Sequence, residues 1–351
     1  MRSVVKGTGF VLGEHLVPNS RFEKLMDTTD QWIRERSGIE QRYYVAPGTS
    51  TSDLGTRAAR IALEQAGLTP NDIDYVVFAT MTPDHFFPGS GSLLQHKLGL
   101  RNVPCVDIRQ QCTGFIYALQ ISDALLKAGA AKNLLLIGAE THSPFIPFDD
   151  WETVLGLADR APSKEQYDLN TRVRDRSVLF GDAGAAVVLS SDAAETTRGL
   201  IDFELHTDGS NYNKLYVPSG MAHRPYISKE MIDNLGHVPY MDGKSVFRMA
   251  VTKMPEVVRS MLSRHNLSVG DINHFIFHQA NLRINEAVQQ SLGIAPDRIY
   301  NNIQKYGNTT AATIPIAYDE CRRSGRIKPG DLLCFVGLGA GFHWGAALLR
   351  E

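Results

Sequence analysis

This 351-residue chain has few cysteines, no long apolar run and almost no net charge. Its four cysteines include no CxxC pair, so no disulfide framework is indicated and a reducing, cytoplasmic compartment is expected. No window approaches the roughly 18 apolar residues of a membrane span, and the N-terminal stretch does not have the pattern of a signal peptide. A formal net charge of -2 without long Lys or Arg runs argues against a nucleic-acid surface.

Metal ligands are scarce as well: among the 11 histidines only His274 and His278 have HxxxH spacing, and they lie along a predicted strand, where residues four apart are too distant to share a metal ion. The sequence therefore predicts no metal site. What the chain does have is a globular composition, with 43% hydrophobic residues and a length that suggests about two domains.

Two stretches of the chain resemble each other, at 66–80 and at 265–279. Each reads as a helix end, a turn, Asp-Ile and a β-rich run, and each is followed by a helix that ends in a Leu-Gly pair. Further on, the segments that begin at Cys112 and Asn308 both read as helix starts, and both lead into apolar strands, NLLLIGAE and DLLCFVGLG. The sequence therefore predicts two copies of a βαβα unit, each with a mostly parallel sheet covered by helices.

This duplication places three reactive or polar residues at strand and helix ends. Cys112 opens a helix, where the macrodipole favours a thiolate and free amides can stabilise an oxyanion. His278 ends a strand, and Asn308 is predicted to hold the place in the second half that Cys112 holds in the first. Each has a structural alternative, namely a packed core thiol, a histidine satisfied by a carbonyl and a helix N-cap. Their joint placement favours a shared site.

A glycine-rich segment at 337–341 follows an apolar strand and looks like part of a dinucleotide fingerprint. A true GxGxxG opens a helix inside a βαβ unit, whereas only a closing strand fits before Glu351. No nicotinamide cofactor is therefore predicted. The glycines instead allow the backbone to approach a substrate, with an amide directed at a carbonyl oxygen.

Two long segments fall outside the repeat. Residues 143–176 are polar and charged with room for a short helix, and residues 208–243 are rich in Gly, Tyr, Pro and His. Such loops are typical of lids or interfaces; a solvated insertion is the alternative for 143–176, and 208–243 either covers the site or flanks a dimer. The predicted domains are 1–176, which includes this insertion and carries the cysteine, and 177–351, which carries the histidine and asparagine.

Several motifs together resemble the β-ketoacyl-acyl carrier protein synthase III family of the thiolase superfamily, nearly end to end. They are TTDQWIRERSGIEQR, QQCTGFIYALQ, FGDAGAAVVL, HQANLRI, YGNTT and the terminal GLGAGFHWGAALLR. The resemblance implies the thiolase fold, an α/β architecture of five αβαβα layers, and a homodimer. It further implies an acyl-enzyme formed from acyl-CoA and a decarboxylative Claisen condensation with malonyl-acyl carrier protein, in fatty-acid or related acyl-chain biosynthesis, with no metal or redox cofactor.

The family's site residues carry over one by one. Its nucleophile falls on Cys112, and the histidine and asparagine that stabilise the enolate fall on His278 and Asn308. The backbone amides of Cys112 and Ala340 would form a second oxyanion hole. The resemblance also assigns CoA-binding and acyl-pocket residues: Trp32 and Arg36 against the adenine, Arg283 at the pocket mouth, and Phe87 closing the acyl pocket across a dimer interface. For Trp32, helix packing is the structural alternative.

The chain also departs from the family pattern. Gln111 stands where a small alanine is usual, Ala340 replaces a typical glycine, and Leu338 occupies a position that is commonly aromatic. These departures, with the 143–176 insertion, leave the acyl donor and the acceptor open. The alternatives are an acyltransferase or secondary-metabolite synthase that uses the Cys112 acyl-enzyme without malonyl condensation, and a non-catalytic thiolase-fold partner in a dimer.

Overall fold

The computed structural model describes residues 2–351. The strands are β1 (Arg2–Leu12), β2 (His15–Pro18), β3 (Gln41–Tyr44), β4 (Tyr75–Ala79), β5 (Cys105–Ile108), β6 (Asn133–Glu140), β7 (Ala183–Asp192), β8 (Gly199–Thr207), β9 (Leu215–Tyr216), β10 (Tyr240–Met241), β11 (His274–Phe277), β12 (Leu332–Gly339) and β13 (His343–Arg350). The α-helices are α1 (Asn19–Glu23), α2 (Asp30–Ser37), α3 (Thr51–Ala66), α4 (Ser90–Leu98), α5 (Gly114–Lys127), α6 (Trp151–Leu155), α7 (Lys164–Arg172), α8 (Arg174–Ser177), α9 (Lys229–Asp233), α10 (Gly243–Arg264), α11 (Leu282–Leu292), α12 (Ile303–Tyr306) and α13 (Thr313–Arg323).

Two large sheets repeat one order of strands. The first runs β1-β7-β6-β4-β5 and the second β8-β13-β12-β11, with an isolated parallel bridge between Phe275 and Ile299 in the place of β5. The duplication predicted from the sequence is confirmed. The prediction of mostly parallel sheets holds with one exception in each sheet: β7 and β13 each pair antiparallel with both of their neighbours, and the remaining strands of each sheet run in one direction. In the second sheet a turn of three residues joins β12 to β13, a connection that only antiparallel strands allow.

The helices at equivalent places end and begin in the same way. Both α4 and α11 end in a left-handed glycine, Gly99 and Gly293, which accommodates the positive φ that a side chain disfavours. Before the strands β4 and β11, the same capping box closes a short 3-10 turn, with Thr69 and Asp72 in one half and Ser268 and Asp271 in the other. The repeated local signals therefore produce repeated local structure.

Five layers result from how the apolar faces are covered. The central layer is α5 with α13, whose buried side chains pack against strands of both sheets. The outer face of the first sheet is covered by α3 and α4, and that of the second by α10 and α11. The expected αβαβα arrangement is confirmed, and both helices that follow the predicted site segments lie at its centre.

The chain passes from the first sheet to the second between Asp192 and Gly199, because β7 completes the first sheet. The domain boundary predicted at residue 176 therefore precedes the last strand of the N-terminal sheet. The 143–176 segment forms α6, α7 and most of α8, and its buried apolar side chains, among them Phe148 and Val154, pack against Phe22 and Ile33 of the first two helices. Among residues 2–351 no helix is long and apolar enough to cross a membrane.

Candidate active site

Cys112 lies in a 3-10 turn, Gln111–Thr113, that leads directly into α5. The turn begins with a strained residue, since Gln111 has a φ of +45°. The end of β12 packs against this turn so closely that a Cβ on Gly339 would lie 2.9 Å from the Cys112 amide nitrogen. The nucleophile segment is thus positioned by backbone from the other half of the molecule.

The Cys112 thiol is buried, with 8% of the residue exposed. Burial raises its pKa to about 12, the negative charge of Glu140 adds to the rise, and a hydrogen bond from its own backbone N–H opposes it. The sequence-based expectation of a resting thiolate is therefore wrong, because loss of hydration outweighs the local amide dipoles. In the unliganded protein Cys112 is therefore a neutral thiol near pH 7.

His278 follows β11 directly, and its backbone N–H donates to the Val336 carbonyl at 2.8 Å. Burial lowers the pKa of the imidazole to about 3, so the ring is neutral near pH 7. Its Nδ1 lies 2.7 Å from the Thr313 Oγ1, while among residues 2–351 the buried Nε2 has no hydrogen-bond partner. The ring is held at one nitrogen and presents the other.

The Thr313 hydroxyl decides which nitrogen of this ring carries the proton. Its oxygen also lies 3.0 Å from the Thr310 carbonyl, which can only accept. When the hydroxyl donates to that carbonyl, His278 Nδ1 is the donor and Nε2 is a base. When the hydroxyl turns to donate to Nδ1, the ring proton sits on Nε2, which becomes a donor.

Asn308 is held by hydrogen bonds on both sides of its backbone. Its N–H donates to Leu179 at 2.8 Å, and its carbonyl accepts from Gly181 at 3.1 Å. The side-chain Oδ1 accepts from the Thr310 N–H at 2.8 Å, but Asn308 is not a helix N-cap, since Thr309 caps the 3-10 turn and Ala312 caps α13. This bond fixes the orientation of the amide and directs its NH₂ group away from that backbone, as a hydrogen-bond donor.

The sequence comparison predicts that Asn308 holds the place of Cys112 in the second half, and the structure contradicts this prediction. The turn equivalent to Gln111–Thr113 is Thr310–Ala312, which packs against it and begins with a residue whose φ is +48°. Cys112 therefore corresponds to Ala311, and Asn308 lies three residues before that position. The strained first residue is the feature that aligns the two turns, and backbone strain is not visible in a sequence.

Two cavities meet at Cys112. The first, called the basic cavity here, has a volume of about 690 Å³ and is lined by Cys112, His278 and Asn308 together with the cations Lys244, Arg248 and Arg283. The second, the aromatic cavity, has a volume of about 920 Å³ and is lined by Cys112, Gln111, His142 and Ala340 together with the rings of Phe86, Phe145, Phe180, Tyr212 and Tyr216. The structure brings the three predicted catalytic residues to the wall of one cavity.

Trp32 and Arg36 lie on α2, outside the walls of both cavities. The Arg36 guanidinium carbon is 4.3 Å from the centroid of the Trp32 ring, and that of Arg174 is 4.7 Å away. The Asn281 amide donates to the Arg36 carbonyl at 2.8 Å, which ties α2 to a residue that lines the basic cavity. The sequence analysis missed Arg174, which lies in the 143–176 insertion and belongs to none of the quoted motifs.

Phe87 lies in the wall of neither cavity and is 85% exposed, whereas its neighbour Phe86 lines the aromatic cavity. The 208–243 segment contributes to the walls of both cavities, with Leu215 shared between them. Of the two alternatives for this segment, the structure therefore has it covering the site. The sequence analysis also missed Glu140, His142 and Thr313, which have no motif of their own. Among residues 2–351 no group of three or more His, Cys, Asp or Glu side chains is placed to hold a metal ion.

Family models match two parts of the chain. Residues 262–351 match the C-terminal model of 3-oxoacyl-[acyl-carrier-protein (ACP)] synthase III, and residues 106–164 and 161–209 match the companion model of the same name. The chain is 41% identical, over 353 aligned residues, to the β-ketoacyl-[acyl-carrier-protein] synthase III of Cereibacter sphaeroides. The alignment covers 100% of this chain and 99% of the relative.

Solved structures resemble the whole fold. The crystal structure of 3-oxoacyl-[acyl-carrier-protein] synthase III from Aquifex aeolicus has a TM-score of 0.84 and 36% identity, with 99% of this chain and 100% of that chain covered. The priming β-ketosynthase of the R1128 polyketide biosynthetic pathway has a TM-score of 0.83 and 30% identity, with coverage of 99% and 96%. Similarity thus extends to a synthase of polyketide biosynthesis.

Proposed function

The chain belongs to the 3-oxoacyl-[acyl-carrier-protein] synthase III family, and we propose that it is a condensing enzyme that joins an acyl group from acyl-CoA to malonyl-acyl carrier protein. The observation that carries the proposal is the meeting of Cys112, His278 and Asn308 in the wall of the basic cavity. The reaction transfers an acyl group, and it serves fatty-acid or related acyl-chain synthesis.

In the first step Cys112 takes the acyl group. The thiol proton passes to the unpartnered Nε2 of His278, the sulfur attacks the thioester carbonyl, and the carbonyl oxygen is stabilised by the amides of Cys112 and Ala340. The carbon–sulfur bond to CoA then breaks, and His278 returns the proton to the CoA sulfur. The neutral state of His278 supports this role, because only a neutral imidazole accepts a proton.

In the second step malonyl-acyl carrier protein loses carbon dioxide. Electrons from the breaking carbon–carbon bond form an enolate, whose oxygen accepts hydrogen bonds from the Asn308 amide and from His278 Nε2–H. Donors placed in this way are each worth roughly 3–4 kcal/mol. The enolate carbon attacks the acyl carbonyl, the bond to the Cys112 sulfur breaks, and that sulfur takes up a proton from solvent.

The two thioester substrates enter through the basic cavity. Lys244, Arg248 and Arg283 in its wall supply positive charge for phosphate groups, which both CoA and the carrier-protein arm contain. The adenine ring of CoA would stack at Trp32, where Arg36 and Arg174 already place guanidinium groups against the indole. The acyl chain would extend from Cys112 into the aromatic cavity.

We further propose that the enzyme is a cytoplasmic homodimer in which Phe87 reaches the aromatic cavity of the partner. Two features support the dimer: β5 is an edge strand, and Phe86 and Phe87 beside it are exposed. The four free cysteines suit a reducing compartment.

Intact-protein mass spectrometry after exposure to a panel of acyl-CoAs tests the nucleophile. We expect a mass increase of one acyl group in the wild-type protein and none on that residue in Cys112→Ser. Absence of an adduct for every acyl-CoA would refute the proposal. Addition of malonyl-acyl carrier protein to the acylated enzyme should then release carbon dioxide and the condensed thioester.

The His278→Ala variant separates the two steps. It should still acylate Cys112, more slowly, and should lose release of carbon dioxide. If turnover proceeds without malonyl thioester, the enzyme is an acyltransferase that uses the Cys112 acyl-enzyme without condensation.

A further inference from the structure

The aromatic cavity contains buried polar groups that nothing in the protein satisfies. Among residues 2–351, Gln111 Oε1, Thr141 Oγ1 and both ring nitrogens of His142 are shielded from solvent and have no hydrogen-bond partner. All three residues line the same cavity as Cys112. Because a buried polar group without a partner costs stability, such groups are few in a native protein, and a cluster of them beside a nucleophile indicates a ligand.

His142 is the most constrained of the three. Its ring stacks on Phe180 with the centroids 3.7 Å apart and the planes within 7°, and Phe145 lies 5.4 Å away. Asp182 Oδ1 accepts from the backbone N–H groups of His142 at 2.6 Å and Ser143 at 2.9 Å, which anchors the main chain. The ring is therefore held between aromatic neighbours in a fixed place, although it makes no hydrogen bond.

The charge state of this ring restricts what it can bind. His142 is 2% exposed, and burial lowers its pKa to about 3, so it is neutral near pH 7. A neutral imidazole offers one donor and one acceptor, the Thr141 hydroxyl offers both, and Gln111 Oε1 accepts. A ligand group that both donates and accepts, without charge, suits this set, and a hydroxyl has that chemistry.

The size of the cavity agrees with a substituted acyl chain. A volume of about 920 Å³ exceeds what an acetyl group needs, and most of the wall is aromatic or aliphatic. A hydrocarbon chain satisfies that wall but leaves the polar cluster unpaired.

We propose that the aromatic cavity selects acyl groups that carry a hydroxyl substituent, which hydrogen-bonds to His142 with Thr141 and Gln111 as further partners. The inference deepens the proposed function, on which it rests, by naming the class of acyl donor. Discrimination arises because a hydroxylated chain supplies hydrogen bonds to groups that are otherwise unpaired, whereas a plain chain of the same length supplies none.

The test compares octanoyl-CoA with its monohydroxy isomers, with the hydroxyl at each carbon in turn. The rate of Cys112 acylation is measured by intact-protein mass spectrometry under single-turnover conditions. At least one isomer should acylate the wild-type enzyme about tenfold faster than octanoyl-CoA, as expected for one well-placed hydrogen bond. The wild-type comparison needs no variant and decides the proposal by itself: equal rates for all isomers would overturn it.

Two variants locate the preference. His142→Leu keeps the volume of the side chain but removes both nitrogens, and Thr141→Val replaces a hydroxyl by a methyl group of similar shape. We expect His142→Leu to abolish the preference and Thr141→Val to weaken it, where the preference is the ratio of the hydroxyoctanoyl-CoA rate to the octanoyl-CoA rate measured in the same variant. A preference that survives in His142→Leu would overturn the assignment to His142. Absence of any adduct with every thioester would instead refute the proposed function, so the two failures are distinguishable.

Discussion

At the scale of single residues, the candidate site depends on hydrogen bonds whose direction is decided by a neighbouring residue. That residue is Thr313, which contacts the His278 ring. The proposed mechanism requires His278 to accept a proton in the first half-reaction and to donate a hydrogen bond in the second. A buried imidazole with a pKa of about 3 does not change role by titration near pH 7. The Thr313 hydroxyl, which has Thr310 O and His278 Nδ1 both within reach, supplies the change through its rotation.

Thr313→Val removes this hydroxyl at nearly constant shape. We expect the condensation rate to fall by about 10- to 100-fold, because a buried ring nitrogen left unpaired costs about 1–3 kcal/mol. Acylation of Cys112 and carbon dioxide release are measured separately, and the second should suffer more.

The matched control is Thr313→Ser, which keeps the hydroxyl and should retain most of the activity. Equal activity of the valine and serine variants would show that the hydroxyl has no part in the reaction.

At the scale of elements, the nucleophile turn is shaped by a strand from the other half of the chain. The end of β12 reaches Cys112 at Gly339, where a side chain has no room: a Cβ would lie 2.9 Å from the Cys112 nitrogen and 3.1 Å from its Cβ. The glycine-rich segment that resembles a nucleotide motif therefore serves close backbone approach, and the chain returns from it as β13.

Gly339→Ala should displace the Cys112 amide from the proposed oxyanion hole. We expect acylation to slow by about 100-fold or more, the usual effect of losing one oxyanion donor. The rate is measured by mass spectrometry with saturating acyl-CoA, and thermal unfolding of the same sample checks that the fold persists.

Gly209→Ala is the control, since a Cβ at that position meets no atom within 4 Å and the backbone there does not require a positive φ. It should acylate at the wild-type rate. If Gly339→Ala does so too, the amide of Cys112 has no role in the first step.

At the scale of the whole molecule, the first sheet ends in an uncovered edge. The strand β5 pairs only with β4, and the neighbouring Phe86 and Phe87 are 64% and 85% exposed. An edge strand beside exposed aromatic rings favours association, and a second copy of the chain offers the same surface in return.

Phe87→Asp should disrupt the proposed homodimer. A charge at the centre of an apolar contact is expected to raise the dimer dissociation constant by at least about 30-fold, as for loss of an aromatic hot spot. Light scattering coupled to size-exclusion chromatography measures the mass across a dilution series. Phe87→Leu should remain dimeric, and a wild-type protein that elutes as a monomer at all concentrations would refute the dimer.

The repeat, the layered α/β architecture and the identities of Cys112, His278 and Asn308 all follow from the sequence. The repeat rests on local signals, namely apolar periodicity and glycine helix ends, while the five-layer architecture and the assignment of the three residues rest on short motifs that resemble a known family. The predictions that the structure contradicts concern relations between segments. The chief example is the equivalence of Cys112 with Asn308, which the strained turns at Gln111 and Thr310 correct.

The sequence by itself determined which residues are candidates for the chemistry and the order in which the elements follow one another. Only the tertiary structure decided the protonation state of that chemistry, since burial at the junction of two cavities raises the pKa of Cys112 and lowers that of His278. It also decided that His142 lines the aromatic cavity beside Cys112. The reason is physical: a side chain's hydration and its hydrogen-bond partners depend on neighbours that are distant in the chain, and folding alone brings them together.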